Sequence, residues 1–181
     1  MLENFLIVGK SADWLPRTEG GVTAGAGTQC SHGIKDAVFG HGSSMQSAGA
    51  RESRQSEHKG LYLPFVPNGI NYVDSQGLDV ISFNFSGCIM AVYEFNGSRR
   101  VCHVSTGVGQ DCKLEWDRIK GLSQNARQFL PHEGIELVPH YSGCYGLITA
   151  CGNAYSVIVS MNLKSGSSKY LVADVKKMSL S

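Results

Sequence analysis

The chain has 181 residues, 42% of them hydrophobic and 17% charged, enough for one domain with its own core and short of two. Sixteen Lys and Arg against 15 Asp and Glu leave a net charge of +1, and no run of like charge exceeds Arg99-Arg100 or Lys176-Lys177, so the charge pattern argues against a nucleic-acid or anionic-membrane partner. The opening "MLENFLIVGKSADW" has neither a basic start nor a long apolar centre, and no apolar run reaches spanning length, which predicts no ordinary signal peptide and no membrane span.

In chain order, a short strand-like "NFLIVG" precedes a Gly- and Ser-rich stretch. Residues 1–60 read as largely loop, with a short helical turn near Ser47–Gln55, at the edge of the domain. His32, His41 and His58 lie here at spacings that match no compact metal motif. From Leu61 the pattern turns to strands: "LYLPFV", "INYV", "LDVISFNF", "CIMAVYEF" and "RRVCHVS". Residues 114–130, "LEWDRIKGLSQNARQFL", carry Trp116, Ile119, Leu122, Ala126 and Phe129 at helical spacing. They predict one long helix, capped by Asp111 and stopped by Pro131. Strands resume in "IELVPHY", "YGLITAC", "AYSVIVSMNL" and "KYLVADVKKM", the last two forming a hairpin. The expected architecture is α+β: a mostly antiparallel, β-sandwich-like core over 61–181, with flanking helix.

The cysteines, Cys30, Cys88, Cys102, Cys112, Cys144 and Cys151, are irregularly spaced and include no Cys-x-x-Cys. They read as reduced, mostly buried residues rather than zinc ligands. One of them sits in a more telling place. Asn96-Gly97 signals a two-residue type I′ hairpin, because both central positions need positive φ. Phe95 then pairs with Ser98, Cys88 faces Ser105, and His103 faces Met90. Cys88 and His103 become diagonal neighbours on one face, about 7–8 Å apart at Cα, while Cys102 points to the other face. A Ser86-Gly87 step just before Cys88 allows a sharp bend that would expose the thiol and aim backbone N–H groups of Ser86 and Gly87 as an oxyanion hole.

The residues "FSGC" (85–88) and "HVSTG" (103–107), with His103 fifteen positions after Cys88, resemble the cysteine glutamine deamidases of the cytotoxic necrotizing factor catalytic-domain type. That superfamily includes Burkholderia lethal factor and the chemoreceptor deamidase CheD. The resemblance implies Cys88 as nucleophile and His103 as base. Ser82 stands where some relatives have a Thr that orients the histidine. It implies a protein substrate, of the kind of a host GTPase or translation factor, and no cofactor. The implied setting is a secreted bacterial effector or toxin acting inside another cell.

Two other classes stand beside this one: a different cysteine hydrolase, a peptidase or small-molecule amidase, using the same pair, and a non-catalytic binding, adaptor or immunity module with Cys88 in its core. The purine-acting laccase-domain type is similar in sheet architecture but needs a His/Cys zinc site that the spacing does not supply. "YSGC" (141–144) repeats the nucleophile context at Cys144, yet no histidine follows it and only His140 lies nearby.

Overall fold

In the computed structural model, residues 1–16, 28–30, 35–40, 46–47, 57–107, 111–135, 138–162 and 169–181 are described. The strands are β1 (Thr28–Cys30), β2 (Lys35–Gly40), β3 (Gln46–Ser47), β4 (Glu57–Leu63), β5 (Gly69–Asp74), β6 (Asp79–Phe83), β7 (Ile89–Phe95) and β8 (Ser98–Val104), then β9 (Gln124–Phe129), β10 (Tyr141–Ile148), β11 (Ala154–Asn162) and β12 (Lys169–Met178). The helix α1 (Asp111–Leu122) separates β8 from β9, and single 3-10 turns cover Leu2–Phe5 and Pro131–Gly134.

Period-two burial along these strands produces three apolar layers. Val80, Met90, Val92, Val101, Cys144 and Ile158 point into a middle layer. Their sequence neighbours point the other way. Ile81, Tyr145, Val157 and Val159 pack under the N-terminal Leu2, Leu6 and Trp14. Ile89, Ala91, Tyr93 and Cys102 pack under Trp116 and Ile119 of α1. The middle layer lies between a five-stranded sheet, order β1-β5-β8-β7-β9, and a seven-stranded sheet, order β12-β11-β10-β6-β4-β2-β3. Pairing is antiparallel except β1 with β5 and β4 with β6. This is the mostly antiparallel sandwich expected, with α1 on its flank. The region before residue 60 supplies β1 to one sheet and β2, β3 and the start of β4 to the other; the helical turn expected near 47–55 lies outside the described residues.

Two local expectations need correction. The helix ends at Leu122 rather than continuing to 130, and residues 124–129 form β9 against β7, with Phe129 opposite Met90. Backbone pairing along β7 outweighs helical spacing here. It turns Phe129 into the middle layer, which a continued helix over the outer face could not reach. Leu122, counted as part of the apolar stripe, is exposed. Where the register of β9 against β7 shifts, Asn125 takes φ 52°, and Asn is one of the few residue types that tolerates positive φ. Of the described residues in "IELVPHY", Ile135 and Val138 lie outside any strand, Pro139 and His140 form a turn, and β10 begins at Tyr141.

Candidate functional site

The β7–β8 hairpin has the register that the Asn-Gly signal predicts. Asn96 and Gly97 sit at φ 49° and 77°, Phe95 pairs with Ser98, and His103 pairs with Met90. Cys88 immediately precedes β7 and belongs to the middle layer with Met90 and Phe85. Cys102 belongs to the opposite face. Cys88 and His103 therefore share one face of one hairpin, as the even-length turn requires.

The chain crosses from the seven-stranded sheet to the five-stranded sheet between Phe83 and Ile89. Ser82, near the end of β6, points into the middle layer from one side and His103 from the other. They meet: Ser82 Oγ and His103 Nδ1 are 2.8 Å apart. Both side chains are fully buried, and Cys88 is 7% exposed. The His103 ring stacks on Phe85, with centroids 4.0 Å apart and planes at 10°. Phe65 closes against it at 5.0 Å. The imidazole is thus held by one hydrogen bond and two aromatic rings.

Its other nitrogen, Nε2, is buried and has no hydrogen-bond partner among the described residues. Leaving a buried polar atom unpaired costs about 1–3 kcal/mol, so such an atom in a well-packed interior calls for an explanation. Burial in this apolar slot pushes the His103 pKa down to about 3, so the ring is neutral at neutral pH. When Nδ1 carries the proton it donates to Ser82 Oγ, and Nε2 then presents a lone pair to the layer that also holds the Cys88 thiol.

The crossing itself is built from unusual backbone. Asn84 has φ 73° and Gly87 φ 149°, the latter in a region that L side chains rarely adopt. The Phe85 N–H donates to the Cys144 carbonyl at 3.2 Å. The Gly87 carbonyl accepts from Thr106 Oγ1 at 2.7 Å. Ser86 is exposed and Gly87 half-buried, which puts their peptide groups at the rim beside Cys88.

The remaining cysteines divide plainly. Cys144 is fully buried and lies 3.6 Å from both Ser156 Oγ and the Tyr145 carbonyl. Burial pushes its pKa up to about 12, while His140 is exposed on the preceding turn. Cys102 is pushed up further by complete burial. Cys112, in the first turn of α1, is buried, and Cys151 is exposed. The side chain of Cys30 is outside the described residues. No known protein family, curated protein or solved structure matches this chain.

Sequence reasoning placed Cys88, His103 and Ser82 together but missed the aromatic slot and the Thr106 contact. Phe85 lies inside the quoted "FSGC" and Thr106 inside "HVSTG". Nothing in a single sequence says that a phenylalanine just outside a strand will fold back over a histidine on another sheet.

Proposed function

We propose that this chain is a cysteine-dependent protein glutamine deamidase, with Cys88 as nucleophile, His103 as base and Ser82 as the group that orients His103. One observation carries this reading. His103 is anchored through Nδ1 by Ser82, while its buried Nε2 has no partner on the face shared with Cys88. Buried polar atoms usually find a partner, and although His132 Nδ1 also lacks one among the described residues, only at His103 does this coincide with a side-chain anchor on the other nitrogen and a cysteine on the same face.

In this reading Nε2 takes the Cys88 proton as sulfur attacks the carboxamide carbon of a glutamine side chain. A C–S bond forms, and the carbonyl oxygen becomes an oxyanion beside the Ser86-Gly87-Cys88 backbone donors. The imidazolium gives its proton to the departing nitrogen, the C–N bond breaks, and ammonia leaves. His103 next deprotonates water, which attacks the thioester. The C–S bond breaks, the thiolate regains its proton, and glutamate remains. An amine in place of water would give transglutamination by the same steps.

Because His103 resists protonation, proton transfer accompanies attack instead of preceding it as a stable thiolate–imidazolium pair. The depth of the site favours a side-chain amide over a main-chain one: with Cys88 only 7% exposed, a slender glutamine side chain reaches sulfur more readily than a peptide bond of a folded protein. This weighs against the peptidase alternative. The resemblance supplies the broader setting, a bacterial effector or toxin with a GTPase or translation factor of another cell as substrate.

The test is thiol reactivity, site by site. Iodoacetamide at neutral pH, followed by mass spectrometry, should label Cys88 ahead of Cys102, Cys112 and Cys144, and His103→Ala should slow it. An inert Cys88 in the folded protein, or labelling indifferent to His103, would overturn the reading in favour of a binding module.

A further inference from the structure

The backbone that carries Cys88 has a weak point. Gly87 adopts φ 149°, and an added Cβ would meet nothing closer than Thr106 Oγ1 at 3.8 Å. The side on which a Cβ would stand is therefore open, and a glycine can swing its following peptide at less conformational cost than other residues. Such a swing would redirect the Cys88 N–H and carry the Cys88 Cα with it, because both belong to the planar peptide unit.

One side-chain contact opposes it. Thr106 Oγ1 donates to the Gly87 carbonyl at 2.7 Å, a short and well-formed O–H···O bond. Thr106 lies three residues after His103, just past the end of β8, and the intervening Ser105 N–H is fixed to the Gly69 carbonyl at 3.0 Å. The same strand end thus carries the base and grips the peptide that presents the nucleophile.

We propose that Thr106 is a positioning residue: by holding the Gly87 carbonyl, its hydroxyl sets the peptide from which Cys88 projects toward His103. This rests on the assignment of Cys88 and His103 as nucleophile and base. Since the carbonyl and N–H of a trans peptide point in opposite directions, the same contact aims the Cys88 N–H. Thr106 neither touches the reacting carboxamide nor moves a proton; it acts through Gly87.

The experiment is the second-order rate of iodoacetamide alkylation at Cys88, read by mass spectrometry for wild type, Thr106→Val, Thr106→Ser and His103→Ala. Val73→Ala, a middle-layer truncation away from the crossing, serves as a control for general loosening. Thr106→Val keeps the shape and loses the donor, and should slow alkylation about tenfold, the scale of one lost hydrogen bond at a geometry-sensitive site. Thr106→Ser should restore the wild-type rate, and Val73→Ala should leave it unchanged. If Thr106→Val reacts like wild type while His103→Ala is slow, the positioning role is wrong and the Cys–His assignment stands. If Thr106→Ser is as slow as Thr106→Val, the hydroxyl is not the cause and the role is again wrong. If His103→Ala itself changes nothing, the Cys–His assignment fails and the positioning role with it.

Discussion

Acidification should expose the buried imidazole as a stability cost of definite size. In the folded chain His103 stays neutral until about pH 3, whereas in the unfolded chain it protonates near 6.5. Between these values the unfolded state binds more protons. Stability contributed by His103 is therefore complete above the unfolded value and is lost as pH falls toward the folded one. Going from pH 7.5 to pH 5, linkage over this shift gives a loss of about 2 kcal/mol. Urea unfolding of wild type and His103→Phe at both pH values isolates it. The variant keeps a ring between Phe65 and Phe85 but cannot titrate, and the other histidines contribute equally to both proteins. Wild type should lose about 2 kcal/mol more than the variant over that interval. Equal losses would refute the argument, because they would mean that the folded imidazole takes up its proton as easily as an unfolded one.

Other substitutions probe the same site from different sides. Ser82→Ala leaves Nδ1 without its partner and should cost roughly 1–3 kcal/mol in urea unfolding, with slower Cys88 alkylation; Ser82→Thr, which keeps a hydroxyl, should recover both. Gly87→Ala has room for its methyl but not the backbone, so thermal melting should show a loss of about 1–3 kcal/mol from strain alone. Gly146→Ala places a Cβ 2.5 Å from Met90 Sδ, 2.8 Å from Pro131 Cγ and 3.1 Å from Phe85 Cε2; the crowding should cost about 1–3 kcal/mol in urea unfolding and displace the ring stacked on His103. Cys144, held protonated by burial, should resist iodoacetamide in the folded protein and react only in urea.

Much of this site was legible because hairpin chemistry is local. Asn96-Gly97 dictates the turn, the turn dictates register, and register assigns Cys88 and His103 to one face and Cys102 to the other. Ser82 was reachable only through the family resemblance, since its partner lies twenty-one positions away on another sheet. Helical spacing misled at 124–129 because the residues that satisfy it also satisfy a strand. Phe129 could bury against a helix neighbour or opposite Met90, and only the pairing along β7 decides between them. The stacking of Phe85 depends on the positive φ of Asn84, which bends the chain back over its own sheet crossing. A polar residue between two phenylalanines gives little sign of that.

The proposed reactive arrangement is divided between two sheets that must dock before it exists. Ser82 arrives on one, Cys88 and His103 on the other, and the contact that orients the imidazole spans the layer between them. A chain with only the five-stranded sheet formed would hold an ordinary thiol beside an unanchored imidazole. On the proposed reading, chemical competence is a late property of folding, gained when the two halves close, and a partly unfolded chain would be silent until it had refolded completely.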